Sequence, residues 1–389
     1  EIGACDWSSD VCSSDLEWTE DGRLRHPSFQ GLRRDKPADE VRIERPEPIS
    51  EAADPVAALM SNGSGKSGKR TMSKKAKQAR NGGSAGATAA DNPTVAGVAI
   101  SSPDRVVFPE AGVTKLRLAE YYESIADRIL PFLKDRPIST VRCPQGREKT
   151  CFFQKHVTET FSGRVPSISV REKDGKAEYI AVESKEDLVT LIQFGVIELH
   201  PWGSTKDHLD KPDLLTFDLD PGPGTNFDDV VEGARRMRDA LERIGLDSFL
   251  KLSGGKGLHV VVPIKPETSW DDAKSFCKSL AELIAEQSPK KYVATASKAK
   301  RKGRIFIDYL RNSRGATSVA PYAARARSGA PVSAPIRWDE LSRIERPDQY
   351  TVETLSRRLS RLKDDPWADP LTVKQSLRDA VSNLAESRR

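Results

Sequence analysis

The run Leu214-Leu215-Thr216-Phe217-Asp218-Leu219-Asp220 constrains this chain more than any other stretch. It is short, apolar and strand-like, and side chains alternate between the two faces of a strand. Leu215, Phe217 and Leu219 therefore share one face, and Asp218 and Asp220 share the other. A fold that accepts this run must set a hydrophobic core against one side of a sheet. Against the other it must set something that tolerates two like charges. A divalent cation is the simplest such partner, and hard oxygen ligands suit Mg²⁺ or Mn²⁺. Two solvated acids on a surface strand would give the same pattern.

The surroundings supply further elements. A Pro-Gly-Pro-Gly turn follows the acids, and an amphipathic helix is expected over 227–244, stopping at Gly245. Strand-like runs at 249–252 and 258–264 flank the glycine-rich Ser253-Gly254-Gly255-Lys256-Gly257, and a helix over 270–287 precedes a strand at 304–310. Upstream, Thr114 can cap a helix whose apolar positions Leu118, Tyr121, Tyr122, Ile125 and Ile129 keep helical spacing until Pro131. The last residues, 372–389, read as a polar surface helix. Strands and helices alternate without the rhythm of a doubly wound sheet, so the expected class is α+β with mixed or antiparallel sheets.

Two more motifs carry chemistry. In Ser253-Gly254-Gly255-Lys256-Gly257-Leu258-His259, glycines let a backbone approach a ligand closely, and exposed N–H groups suit phosphate oxygens. Lys256 and His259 add side-chain donors; a plain hairpin turn is the bland account. In Arg304-Ile305-Phe306-Ile307-Asp308-Tyr309 one carboxylate sits in an apolar strand, where burial is costly without a partner. A third metal ligand or an ion pair with an arginine would each explain Asp308. Arg311, Arg314, Arg325 and Arg327 follow and could grip phosphates. Two ions held by such acids would clamp a nucleotide's phosphates and activate a 3′ hydroxyl.

Composition divides the 389 residues, which carry a net charge of +5. Residues 1–16 show no periodicity, and VCSSDL resembles the translation of a sequencing-adapter end, so this piece reads as an artefact with the true protein continuing upstream. Residues 17–46 are too short to fold alone and look like the end of another domain. Residues 47–95 are rich in Ala, Gly, Ser and Pro, and the basic residues from Lys66 to Arg80 face a single acid, Asp91. That is the composition of a basic, disordered tether suited to phosphate contacts. Within it Gly65-Lys66-Ser67 imitates the end of a P-loop, but Met60 stands where the first glycine belongs. The globular part is expected over 96–389. No apolar stretch approaches the ~18–20 residues of a membrane span, and no signal peptide is evident. The five cysteines show no zinc spacing and read as reduced thiols in a cytoplasmic protein.

The order LTFDLDPGPG, SGGKGLHV and IFIDYLRN…APYAARAR resembles the polymerase domain of bacterial ligase D, in the archaeo-eukaryotic primase superfamily, over roughly residues 96–385. HPSFQGLRRDKP, within residues 17–46, resembles the last stretch of an ATP-dependent ligase's OB-fold. The resemblance implies an archaeo-eukaryotic primase-like core and metal ligands at Asp218, Asp220 and Asp308. It implies nucleotide contacts at Ser253, Lys256, His259 and Arg325, with His200 near the ribose or base. Phe152 and Phe153, which alone would read as core, match an aromatic pair stacked at the junction of template and gapped strand. Arg105 and Lys115 match the site for a recessed 5′-phosphate. Ser102 stands where some relatives have Asn, and Arg105 where some have Lys, yet both replacements can donate hydrogen bonds to phosphate. The resemblance further implies nucleoside triphosphates as substrates with a preference for ribonucleotides, two Mn²⁺ or Mg²⁺ ions, gapped DNA ends, an upstream ligase domain, and the end-binding protein Ku in non-homologous end joining.

Rival readings predict other features. A ligase needs a lysine nucleophile in a KxDG-type motif, and the nearest approach, Glu172-Lys173-Asp174-Gly175, has a glutamate there. A nucleotide-sugar glycosyltransferase would use the paired acids but not the third. A DNA-end binding module without catalysis would have no need of all three.

Overall fold

The computed structural model describes residues 92–172, 175–368 and 370–386. The divisions expected at 1–16, 17–46 and most of 47–95, with the P-loop imitation, lie outside the described residues, as do Lys173 and Asp174 of the near-ligase motif. Glu172 and Gly175 face each other in register at the tip of a hairpin.

Two short antiparallel ribbons come first, β1 (Thr94–Val95) with β2 (Val98–Ala99) and β3 (Val106–Phe108) with β4 (Val113–Thr114). Thr114 caps α1 (Lys115–Ser124) by accepting from Arg117 N at 3.2 Å. The apolar positions expected on this helix are all buried, but it does not run unbroken to Pro131. Ser124 Oγ donates to Tyr121 O at 2.7 Å, competing for a helical acceptor. The chain restarts as α2 (Ala126–Ile129) and tightens into a 3₁₀ turn containing Pro131.

A five-stranded sheet follows, built from β5 (Ile138–Arg142), β6 (Phe152–Gln154), β7 (Ser167–Glu172), β8 (Gly175–Ile180) and, beyond α3 (Lys185–Gln193), β9 (Val196–Pro201). Strand β5 is its hub, pairing antiparallel with β6, β8 and β9.

The second sheet has six strands in the order β13-β14-β10-β12-β11-β15. Its members are β10 (Leu214–Pro221), β11 (Phe249–Leu252), β12 (Leu258–Pro263), β13 (Tyr292–Val293), β14 (Ile305–Asp308) and β15 (Pro335–Ile336). All neighbours are antiparallel except β13 with β14, so the sheet is mixed, as the α+β reading expects. Leu215, Phe217 and Leu219 are fully buried, each such side chain contributing about 1.5–3 kcal/mol. Against that face packs α4 (Phe227–Arg243), started by an Asn226–Asp229 capping box and ended at Gly245 with φ +81°. Helix α5 (Trp270–Gln287) matches its expected span, and a short α6 (Leu355–Leu359) follows β15.

Two expectations are corrected. The tail is not a polar surface helix, because α7 (Leu377–Glu386) buries Leu377, Ala380 and Leu384, spaced i, i+3 and i+7. Gln375 ties this segment down through its amide, which accepts from Asp247 N and donates to Asp247 O and Pro263 O. Nor are all the thiols reduced: Cys143 and Cys151 form a disulfide. They flank the registered pair Arg142 and Phe152, so the β5–β6 hairpin brings them together from eight residues apart. Cys277 is free and buried in α5. Among the described residues no helix is long and apolar enough to cross a membrane.

Candidate metal and nucleotide site

Sheet register assembles the site. Asp218 on β10 lies opposite His259 on β12 and, on its other side, opposite Asp308 on β14. Lys251 on β11 lies opposite His259. Residues directly opposed in antiparallel strands share a face, so Lys251, His259, Asp218 and Asp308 form one row across four strands. Asp220 sits two residues along β10 on the same face. Carboxylate oxygens of Asp218, Asp220 and Asp308 all lie within 4.8 Å of one another.

Three acids so close require compensation. Arg311 reaches Asp218 at 3.3 Å and Asp308 at 3.5 Å, so the arginine pair left open for Asp308 exists and is shared. His259 Nε2 is 3.3 Å from Asp218 Oδ1, and its Nδ1 is 3.3 Å from Ser318 Oγ. Burial works against the Asp218 charge, but His259 and Arg311 hold its carboxyl well below the usual carboxylate range. Burial lowers the His259 imidazole to about 4, against the pull of Asp218. The charge on Asp218, then burial, pushes Asp220 up to about 7. Burial and the charge on Asp218 also raise Asp308, with Arg311 opposing. This all-oxygen donor set, with repulsion strong enough to protonate one member near neutrality, fits divalent cations.

The glycine-rich loop behaves differently from its expectation. Ser253 Oγ accepts from Gly255 N and Gly257 N, both at 3.2 Å, so the loop closes on its own serine. A Cβ on Gly257 would meet Leu219 O at 2.1 Å, and one on Gly254 would meet the Val332 backbone at 2.8 Å. Those glycines are there so that the loop can lie against the acid-bearing strand and the loop of Val332. Lys256 is exposed at the tip.

Arg325 joins this loop to β9. Its Nη1 donates to Ser253 O at 2.5 Å and its Nε is 2.9 Å from Glu198 Oε2. The same carboxylate oxygen lies 2.8 Å from His200 Nε2, and Glu198 Oε1 accepts from Ala326 N at 2.7 Å. Burial opposes ionisation of Glu198, yet Arg325 and His200 hold it down to about 2. Phe153 sets its ring edge-on to His200, centroids 5.9 Å apart. Ser253, His259, Arg325 and His200 thus converge, whereas Lys256 stands at the rim.

Arg105 and Lys115 meet elsewhere, lining a cavity of about 240 Å³ with Ser101, Arg142 and Gln193. Arg105 donates to Pro144 O at 2.7 Å, and Lys115 Nζ to Ser101 O at 2.9 Å. Burial and then Arg105 lower the Lys115 ammonium to about 8. Phe152 is 37% exposed, which removes the core reading, and the Arg142 guanidinium lies 5.7 Å from its ring centre.

Sequence reasoning missed Lys251, Glu198 and Asn312. Lys251 was visible as a charge inside the apolar run Phe249–Leu252, and Glu198 as the same-face neighbour of His200. Asn312 had no local signal. Its side chain accepts from Thr216 N and donates to Thr216 O, both at 2.8 Å, standing in for a strand partner beside the acids.

A family model of the LigD primase-polymerase domain matches residues 114–367, spanning every element of this site from Lys115 onward. This chain belongs to that family. The multifunctional non-homologous end joining protein LigD of Pseudomonas aeruginosa is 36% identical over 385 residues, covering 98% of this chain and 42% of the relative. Its namesake from Mycolicibacterium smegmatis is 32% identical, covering 73% of this chain and 38% of the relative. The chain therefore spans less than half the length of these LigD relatives. The LigD fold agrees: the polymerase domain from Mycobacterium tuberculosis ligase D, solved in complex with DNA, superimposes with a TM-score of 0.64 at 28% identity. That match covers 69% of this chain and 96% of the solved one.

Proposed function

We propose that this domain transfers nucleotides from nucleoside triphosphates to the 3′ ends of DNA, filling gaps and extending ends during bacterial non-homologous end joining. Asp218, Asp220 and Asp308 hold two divalent ions, Mn²⁺ or Mg²⁺, in this reading. The observation that carries it is the meeting of three carboxylates within 4.8 Å beside a glycine-rich loop. When bound, the ions would neutralise triphosphate charge and acidify the attacking 3′ hydroxyl. Positioning supplies much of the rest in phosphoryl transfer. Neutral His259 fixes the rotamer of Asp218. Arg325, anchored on Glu198 and Ser253 O, offers a stationary cation to the triphosphate. Lys256 at the rim can follow the outgoing phosphates, and His200 contacts ribose or base.

For DNA, Arg105 and Lys115 receive a recessed 5′-phosphate, while Phe152 and Phe153 stack at the template junction. Ribonucleotide preference, partnership with Ku, a ligase domain upstream and a cytoplasmic location belong to the same proposal. Primer extension on a gapped, 5′-phosphorylated duplex tests it, comparing ribo- with deoxyribonucleotides in Mn²⁺ and in Mg²⁺. Templated addition favouring ribonucleotides and Mn²⁺ is expected. DNA bound without addition under any condition would leave only an end-binding module.

A further inference from the structure

Arg325 lies on a long connection between β14 and β15 that forms no helix or continuous strand. Such a connection holds a guanidinium in place only where its backbone is tied down. Strand β9 supplies two ties, with Leu199 O accepting from Ala320 N at 2.8 Å and Glu198 Oε1 accepting from Ala326 N at 2.7 Å. A third comes from outside both elements. Tyr122, fully buried in α1, donates its hydroxyl to Ile197 O at 2.6 Å and accepts from Ala324 N at 3.0 Å. Ile197 immediately precedes Glu198, and Ala324 immediately precedes Arg325. One hydroxyl therefore clamps the backbone beside both members of the Glu198–Arg325 pair. The apolar packing around this ring would accept a phenylalanine equally well. What the hydroxyl adds is a fixed spacing between two backbone groups that each lead into a site residue.

We propose that Tyr122 is a positioning residue for the incoming nucleotide. Its two hydrogen bonds set the separation of β9 from the Arg325 connection, and through Glu198 they aim both Arg325 and His200. The inference rests on the reading of those two residues as nucleotide contacts.

Tyr122→Phe in the full chain tests it, by steady-state primer extension and by displacement of a fluorescent ATP analogue. The KM for nucleotide should rise about tenfold, the scale of one hydrogen bond lost from a buried pair. kcat and affinity for gapped DNA should stay within about twofold, since the acids and the DNA contacts are untouched. In an Arg325→Ala background the same substitution should add nothing, because the group it aims is gone. Glu198→Gln, which weakens the aimed pair without touching Tyr122, should shift KM in the same direction. An unchanged KM in either single variant overturns the proposal. So does an equal rise with and without Arg325, which would mark a general packing effect. A parent chain that binds the analogue but adds no nucleotide counts against the proposed activity; the analogue's affinity still decides the role of Tyr122.

Discussion

Two regions of the molecule hold their charges in opposite ways. On the six-stranded sheet Lys251, His259, Asp218 and Asp308 are buried in one row. Each is engaged there, Lys251 with Val319 O and Ser333 Oγ, the others with one another or with Arg311. Around the cavity of Arg105 and Lys115, Arg105 and Phe152 are exposed, and their contacts are backbone oxygens and a stacked arginine. Like charges that must sit close together need a stiff, compensating surround, because an unpaired buried charge is expensive. Groups that meet a long polymer must stay reachable, and each gives up less solvation in waiting. The contrast separates a site built for positioning from one built for capture.

Breaking the row should have the largest effect. Asp218→Ala should lower nucleotide addition at least a thousandfold, from about 4 kcal/mol of lost charge stabilisation. DNA affinity should hold or increase, since a negative charge near phosphates is removed. Comparable extension rates from variant and parent would refute the ligand assignment. Asn312→Ala comes next. It strands the Thr216 N–H and C=O in the interior and should cost about 2–3 kcal/mol, seen as a thermal midpoint several degrees lower. A midpoint equal to the parent's would mean that β10 is not held by this mimic of a strand partner.

The capture region should respond in binding instead. Phe152→Ala should weaken affinity for gapped duplex by about 1–3 kcal/mol, the range for one stacked base, while the thermal midpoint barely moves. A stability loss without a binding loss would return Phe152 to the core. The smallest effect should be a pH dependence of 5′-phosphate recognition. Lys115 titrates near 8, lowered by burial and Arg105, so its charge is present at pH 7 and lost as pH rises past 8. Preference for phosphorylated over unphosphorylated gaps should fall up to about tenfold between pH 7 and 9, less if bound phosphate raises the midpoint. Lys115→Arg should flatten that slope, and a slope that survives it would point to another group.

Much of the fold was legible because its signals are local. Alternation in 214–220 set the faces of β10, and capping residues with a closing glycine set α4 within a residue of expectation. The misreadings came from contacts that local pattern does not carry. Residues 372–389 looked polar because their apolar stripe is three residues wide and needs α7 docked to be recognised. The cysteines looked unpaired because spacing says nothing of a hairpin that brings residues 143 and 151 together. The glycines of 254–257 looked like a phosphate cradle, yet Ser253 and the backbone of β10 occupy their near side.

By itself the sequence determined which residues carry charge inside apolar strands, because alternation and burial cost act within a few residues of each other. Asp218, Asp220 and Asp308 were singled out on that ground alone. Only the tertiary structure decided who compensates whom. Register placed His259 on one flank of Asp218 and Asp308 on the other, and the chain's return brought Arg311 to both acids. It likewise joined Glu198 to Arg325 across 127 residues and set Tyr122 between their backbones. Pairing across such separations is set by strand register and packing, which no local pattern records.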